Sequence, residues 1–279
     1  APRLREQTER MGNALTIPQF LANRFPTSGT MLRVTSAVII VAFFTVYTAS
    51  GMVGGGKLFA TAFAGSLPVT GLSDYMFGIL LTAGIVLAYT MIGGFLAVSL
   101  TDFVQGMIMM VALVVMPLVI LFGTDASAGI DIAAVPQEGF LSLTQGASLV
   151  GVISAVTWGL GYFGQPHIIV RFMAIDRLEN VPRAGVIGMS WMVISLVGAV
   201  AVGLAGRAYA ESTGLVVEDP ETIFILLAQL LFHPAVTGFL YAALLAAIMS
   251  TIASQLLVSS SSLTEDFYRL FLRRNASER

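Results

Sequence analysis

The sequence contains no cysteine and only two histidines. Disulfides, cysteine-ligated zinc, iron–sulfur clusters and thiol catalysis are excluded, and two imidazoles do not by themselves build a histidine-rich metal centre. Charge is scarce as well. Lys and Arg number 14 and Asp and Glu 16 in 279 residues, 11% in all, whereas a water-soluble domain carries about 25%. So few charges cannot cover a surface in water, which excludes soluble enzymes and disordered scaffolds. A net charge of −2 offers no basic field to DNA or RNA. Alternation of apolar and polar residues is also missing, which excludes the strands of a transmembrane barrel. What remains is hydrophobic: 56% apolar residues and a mean hydropathy of +0.87. The chain reads as an all-α integral membrane protein.

A helix needs about 20 residues to cross about 30 Å of hydrocarbon. Charge-free runs of that length predict six transmembrane helices, at about 34–56, 75–100, 103–123, 147–170, 184–206 and 235–260. His233-Pro234 cuts off residues 222–232, too few to span, and these predict a short outer-side helix. The bundle then occupies 34–264, between a lead-in of 1–33 and a basic tail of 265–279. Twelve of the fourteen basic residues fall on one face: five before the first span, Arg171, Arg177 and Arg183 between spans four and five, and four from Arg269 onward. The positive-inside rule therefore predicts that both ends are cytoplasmic. The opposite loops hold Asp125, Asp131, Glu138, Glu211, Glu218, Asp219 and Glu221. In the lead-in, Thr16 is the expected N-cap of a short amphipathic helix running to Phe25, with Pro18 in its first turn. No apolar core of a signal peptide follows the arginines, and the chain is expected to be a piece of a longer protein.

The fourth span contains Thr157-Trp-Gly-Leu-Gly-Tyr-Phe-Gly-Gln-Pro-His167, in which Gly159, Gly161 and Gly164 spell GxGxxG. A dinucleotide site needs a preceding strand and a βαβ unit; here the motif lies inside an apolar helix, and that meaning is rejected. Three glycines and a proline are instead expected to unwind the helix. Unwound backbone at membrane depth survives only where protein or a water-filled cavity satisfies it. Trp158 and Tyr162, four residues apart, would face such a cavity, although a kink used only for packing remains the alternative. His167 is expected to be a satisfied interfacial histidine and His233 structural.

In the sixth span, positions 243, 247, 250, 251 and 254 share one helical face, and each is Ala, Ser or Thr. Small residues let a neighbouring helix approach closely. Paired hydroxyls on this face with a free backbone carbonyl also suit a hard cation such as sodium, held by neutral oxygens, with simple helix packing as the rival. Tyr47-Thr-Ala-Ser-Gly51 gives the first span polar groups midway. Asp102 is expected to N-cap the third span just after a turn flanked by Gly93-Gly94.

Several stretches resemble the sodium/solute symporter family. Ile92-Gly-Gly-Phe-Leu-Ala-Val-Ser99 running into Thr101-Asp-Phe-Val-Gln105 is similar to its signature. Trp158 through Ala174, Ala246-Ala-Ile-Met-Ser-Thr251, Gln255-Leu-Leu-Val258 and Thr264-Glu-Asp266 look like its sodium/proline branch, and the similarity runs over essentially the whole chain. The resemblance implies a part of the LeuT-like inverted-repeat (APC-type) fold, with the first three spans ending one repeat, the last three opening the next, and span four discontinuous. It places substrate contacts at Tyr47, Trp158, Tyr162 and Pro166, and sodium at Ala247, Ser250 and Thr251. It gives coupling or gating roles to Asp102, Gly159, Gly161, Gly164 and Glu221. The function implied is sodium-coupled symport of L-proline by alternating access in a bacterial cytoplasmic membrane. No enzymatic activity, no cofactor beyond the co-transported sodium, no nucleic acid and no obligate protein partner are expected. Another solute, such as pantothenate or another amino acid, is the nearest alternative; a passive channel or structural membrane subunit is a more distant one. The family's other discontinuous helix has no counterpart in the sequence, so half of each site is expected to be missing and the chain is not expected to transport alone.

Overall fold

The computed structural model describes residues 2–65, 71–123, 130–136, 139–142, 145–162 and 164–272. Asp125, Glu138, Phe163, Arg273, Arg274 and Arg279 lie outside the described residues. Regular structure among the described residues is helical: α1 (Pro2–Arg10), α2 (Ile17–Arg24), α3 (Gly29–Ala62), α4 (Asp74–Phe122), α5 (Leu149–Tyr162), α6 (Pro166–Met173), α7 (Asn180–Thr213), α8 (Ile223–Leu231) and α9 (Pro234–Ser261), which continues as a π-helical foot over Ser262–Leu272. Four helical stretches are long and apolar enough to cross a membrane: Pro26–Ala62, Asp74–Phe122, Asn180–Thr213 and Pro234–Leu272.

The differences from six separate spans have local causes. The expected spans two and three are one run, α4, of 49 residues. A straight helix of that length would reach about 74 Å, over twice the apolar thickness of a bilayer, and α4 is not straight. Gly94 adopts φ 55 and ψ −150, a region nearly closed to residues with a Cβ. A Cβ on Gly93 would lie 2.1 Å from the Ala97 Cβ. The break therefore falls at the glycines themselves and not at Thr101-Asp102. Asp102 lies inside the second segment of α4, two turns beyond the break, and does not cap it. Gly94→Ala is expected to destabilise the protein by about 2–3 kcal/mol through backbone strain alone. The check is the thermal midpoint of purified protein in detergent; an unchanged midpoint would mean that the turn is not held in this conformation.

The chain forms two compact units, and α3, α7 and α9 contribute to both. One comprises residues 51–149 and 189–250. Its core gathers Leu58, Met116, Ile120, Leu227 and Leu240, all essentially inaccessible to solvent. Helices meet here at glycines, as small residues allow in apolar bundles. A Cβ on Gly78 would come within 2.6 Å of the Phe59 Cβ, and one on Gly198 within 2.5 Å of the Leu113 carbonyl oxygen. The Trp191 indole donates to the Gly106 carbonyl at 2.9 Å. The pairs 55/82 and 59/78 make α3 and the first segment of α4 antiparallel; 106/191 and 113/198 make the second segment and α7 parallel.

The other unit comprises residues 1–50, 150–188 and 251–279. Thr16 caps α2 as its sequence predicts, its hydroxyl accepting from the Gln19 amide at 3.1 Å, with Pro18 in the first turn. Ala14, Phe20 and Met173 form a buried cluster covered by Leu4, Ile17 and Ile169. Asp266, in the π-helical foot, is fully buried. Its Oδ1 accepts from Arg33 Nε at 2.7 Å and from the Thr16 hydroxyl at 3.1 Å.

Candidate binding site at a broken helix

Residues 147–170, expected as one span, form two short helices. α5 stops at Tyr162 and α6 restarts at Pro166, with Gln165 extended between them at φ −65 and ψ 118. Proline explains the restart, because its fixed φ and missing N–H suit the first helical position. Not every glycine takes part. Gly159 and Gly161 stay helical within α5, and only Gly164 lies in the break. A glycine tolerates a helix at a cost of about 1 kcal/mol; the proline, which cannot continue one, decides where it ends.

The aromatic pair sits at the end of α5. Trp158 and Tyr162 have ring centroids 6.1 Å apart with planes inclined at 45°. Trp158 is 69% exposed, a large indole face left open beside the interrupted backbone. Pro166 is half-buried at the head of α6. Tyr47 is also open, on α3, and no hydrogen bond or ring contact joins it to the pair among the described residues.

Ala247, Ser250 and Thr251 fall within about one turn of α9, each half-buried. The Ser250 hydroxyl donates to the Ala247 carbonyl at 3.3 Å, so two of the three oxygens assigned to a cation already lie together. Ala243 and Ala247 also wall an apolar cavity of about 280 Å³ with Met109, Ala112, Ala199 and Gly203.

A buried polar cluster beside the break went unnoticed in the sequence. Gln255 is fully buried, its Oε1 accepting from the Thr48 hydroxyl at 3.0 Å, while its Nε2 donates to nothing among the described residues. Arg171 donates to the Ser254 hydroxyl at 2.6 Å. The His167 ring meets Phe44 edge-on at 5.5 Å. An amide within an apolar helix was the available signal, since polar groups at membrane depth mark functional paths. The partner, Thr48, lies 207 residues away.

In the other unit, Glu221 is paired. Lys57 Nζ bonds both Asp219 Oδ2, at 2.9 Å, and Glu221 Oε2. The Lys57 ammonium, helped by the Glu221 amide, holds the Asp219 carboxyl below the usual carboxylate range. Among the described residues no group of three or more His, Asp or Glu side chains that could hold a metal ion occurs.

Four helical stretches long and apolar enough to cross a membrane, one of them broken at Gly94, define a polytopic membrane protein. The chain belongs to the sodium:solute symporter family, whose model matches residues 1–279. It is 53% identical over 281 residues to the osmoregulated proline transporter OpuE of Bacillus subtilis, covering 100% of this chain and 55% of that protein. The high-affinity proline transporter PutP of the same organism matches at 53%, with 100% and 58% covered. A sodium/proline symporter of Staphylococcus aureus is 54% identical over 270 residues, with 97% and 51% covered. The chain thus spans about half the length of the curated relatives it matches.

Proposed function

We propose that the chain is the central part of a sodium-coupled L-proline symporter of the bacterial cytoplasmic membrane. The observation that carries this is the break between Tyr162 and Pro166, beside the tilted Trp158–Tyr162 pair; the names of the relatives supply the substrate. The chain then contributes six spans, with α4 counted as two about Gly94 and α5–α6 as one discontinuous span, to a LeuT-like inverted repeat. Both of its ends face the cytoplasm. The pyrrolidine ring of proline packs on Trp158, Tyr162 and Tyr47, and its carboxylate lies toward the N-terminus of α6 behind Pro166, where the helix dipole favours an anion.

Sodium sits on the Ala247 carbonyl and the Ser250 and Thr251 hydroxyls. It draws its remaining oxygens from the part of the relatives' length that this chain lacks. Occupancy of both sites shifts the balance between outward- and inward-open states, so coupling is a difference of affinity between two conformations. Asp102, the glycines of the break and Glu221 act in that transition. No further cofactor takes part.

The test is sodium-dependent uptake of labelled proline by a form of the protein with the full length of its relatives. Trp158→Ala and Tyr162→Ala should each raise the half-saturating proline concentration about tenfold, the equivalent of the ~1.4 kcal/mol in a lost aromatic contact. Unchanged affinity in both variants, or uptake of another solute in place of proline, would remove the substrate assignment.

A further inference from the structure

We propose that the α1–α2 lead-in is a clasp that holds the half-helix α6 in its closed position and must lift for the site to open on that side. The inference rests on the α5–α6 break lying on the solute's path.

α6 has eight residues, fewer than the ~12–15 that an isolated helix needs to persist in water. Its head is detached from α5 by the break, so its position depends on what packs against it. α3 and α9 hold one side of it, through Phe44 on the His167 ring, Ser254 on Arg171 and Val170 against Ile40 and Val258; the other hold is the lead-in, since α1 and α2 both lie against α6 and α2 also lies against the foot of α9. Phe20 and Ala14 bury Met173, and Ile169 packs at the margin of the same cluster. At the C-terminus of α6, Arg5 Nη1 donates to the Met173 carbonyl at 3.0 Å, where a helix leaves acceptors unsatisfied and a cation is favoured. Asn23 Nδ2 donates to the Met11 carbonyl at 2.9 Å, which ties α2 to α1 so that the two move together.

The second hold is on the foot of the last helix. The Thr16 hydroxyl donates to Asp266 Oδ1 while accepting from the Gln19 amide, so one side chain both starts α2 and moors it. The other carboxylate oxygen, Oδ2, is buried and accepts no hydrogen bond among the described residues. A buried acceptor with spare capacity suits a contact that is made and broken, because Asp266 keeps Arg33 when Thr16 leaves. The lead-in thus grips α6 at Met173, through the Arg5 bond beside an apolar seat, and the last helix at Asp266, through the Thr16 hydroxyl.

These 279 residues contain no cysteine, and with any cysteine in the rest of the full-length form replaced by serine an introduced thiol is a unique reporter. Ile169→Cys places it under the clasp, and Val216→Cys, at a position 80% exposed, serves as a reference in the other unit. The full-length form in lipid nanodiscs, without sodium or proline, is treated with a membrane-impermeant maleimide. Arg5→Met and Thr16→Val should each speed labelling of the Ile169→Cys thiol about tenfold. Thr16→Ser, which keeps both hydroxyl bonds, should label at the parental rate, and the Val216→Cys reference should not change in any variant. Equal labelling across the series, or acceleration at both thiols together, would overturn the clasp. If Arg5→Met does not accumulate, the Thr16→Val and Thr16→Ser pair decides alone. Because neither ligand is present, the outcome is separable from the proline assignment.

Discussion

Replacing Ser250 with alanine and Thr251 with valine together should raise the sodium concentration for half-maximal proline uptake by about a hundredfold or more in the full-length form. Each substitution deletes one neutral oxygen while keeping helix propensity or the β-branched shape. A contact between a polar oxygen and a charged group contributes about 1.5–3 kcal/mol. Two would total about 3–6 kcal/mol, and water entering the vacated positions recovers part of that. A net loss near 3 kcal/mol is about a hundredfold in affinity. The Ser250 hydroxyl donates to the Ala247 carbonyl at 3.3 Å, so for the proposed sodium ligation its proton would have to turn away and present a lone pair. Because coupling is reciprocal, the half-saturating proline concentration should rise with the sodium requirement and fall again as sodium is raised. Initial uptake rates measured over a grid of both concentrations test this. A sodium dependence equal to that of the parent would place the ion elsewhere.

Legibility in the sequence followed the range of the physics involved. The Thr16 cap, the restart at Pro166 and the short helix α8, which occupies 223–231 against the expected 222–232, each depend on a few neighbouring residues whose backbone preferences are strong. The break in α4 was misplaced because charge was used to end the span at Asp102. A carboxylate inside a membrane helix can be accommodated by tertiary contacts, whereas the combination of φ 55 with ψ −150 at Gly94 is open essentially to glycine alone. The polar pairs were out of reach for a different reason. Thr48 with Gln255, Arg171 with Ser254 and Arg33 with Asp266 are separated by 207, 83 and 233 residues. No local pattern specifies such partners; only the packing of whole helices brings them together. Thr264-Glu-Asp266 was singled out as a family motif, but nothing in its spacing said that the carboxylate would be buried.

That burial sets the largest expected effect on stability. Asp266 has no solvent exposure and Arg33 only 18% at its side chain. The guanidinium serves two acceptors: Nε on Asp266 Oδ1 at 2.7 Å and Nη2 on the Glu265 carbonyl at 2.9 Å. Removing one partner of a buried ion pair costs about 3–5 kcal/mol, because the remaining charge keeps its desolvation penalty without its compensation. Arg33→Met retains most of the apolar stem and deletes the charge, and should lower the thermal midpoint by about 10 °C, taking roughly 2–4 °C per kcal/mol for a chain of this size. Arg33→Lys should fall between that variant and the parent, since a point charge cannot reach both acceptors with the geometry of a planar fork. The double substitution Arg33→Met with Asp266→Leu removes both charges, and replacing a whole buried pair by apolar groups is often neutral, so it should recover most of the loss. The order Arg33→Met, Arg33→Lys, then the double variant nearest the parent is read from thermal unfolding in detergent. Were Arg33→Met to melt with the parent protein, the pair would hold no structural charge, and the burial of Asp266 would need another cause.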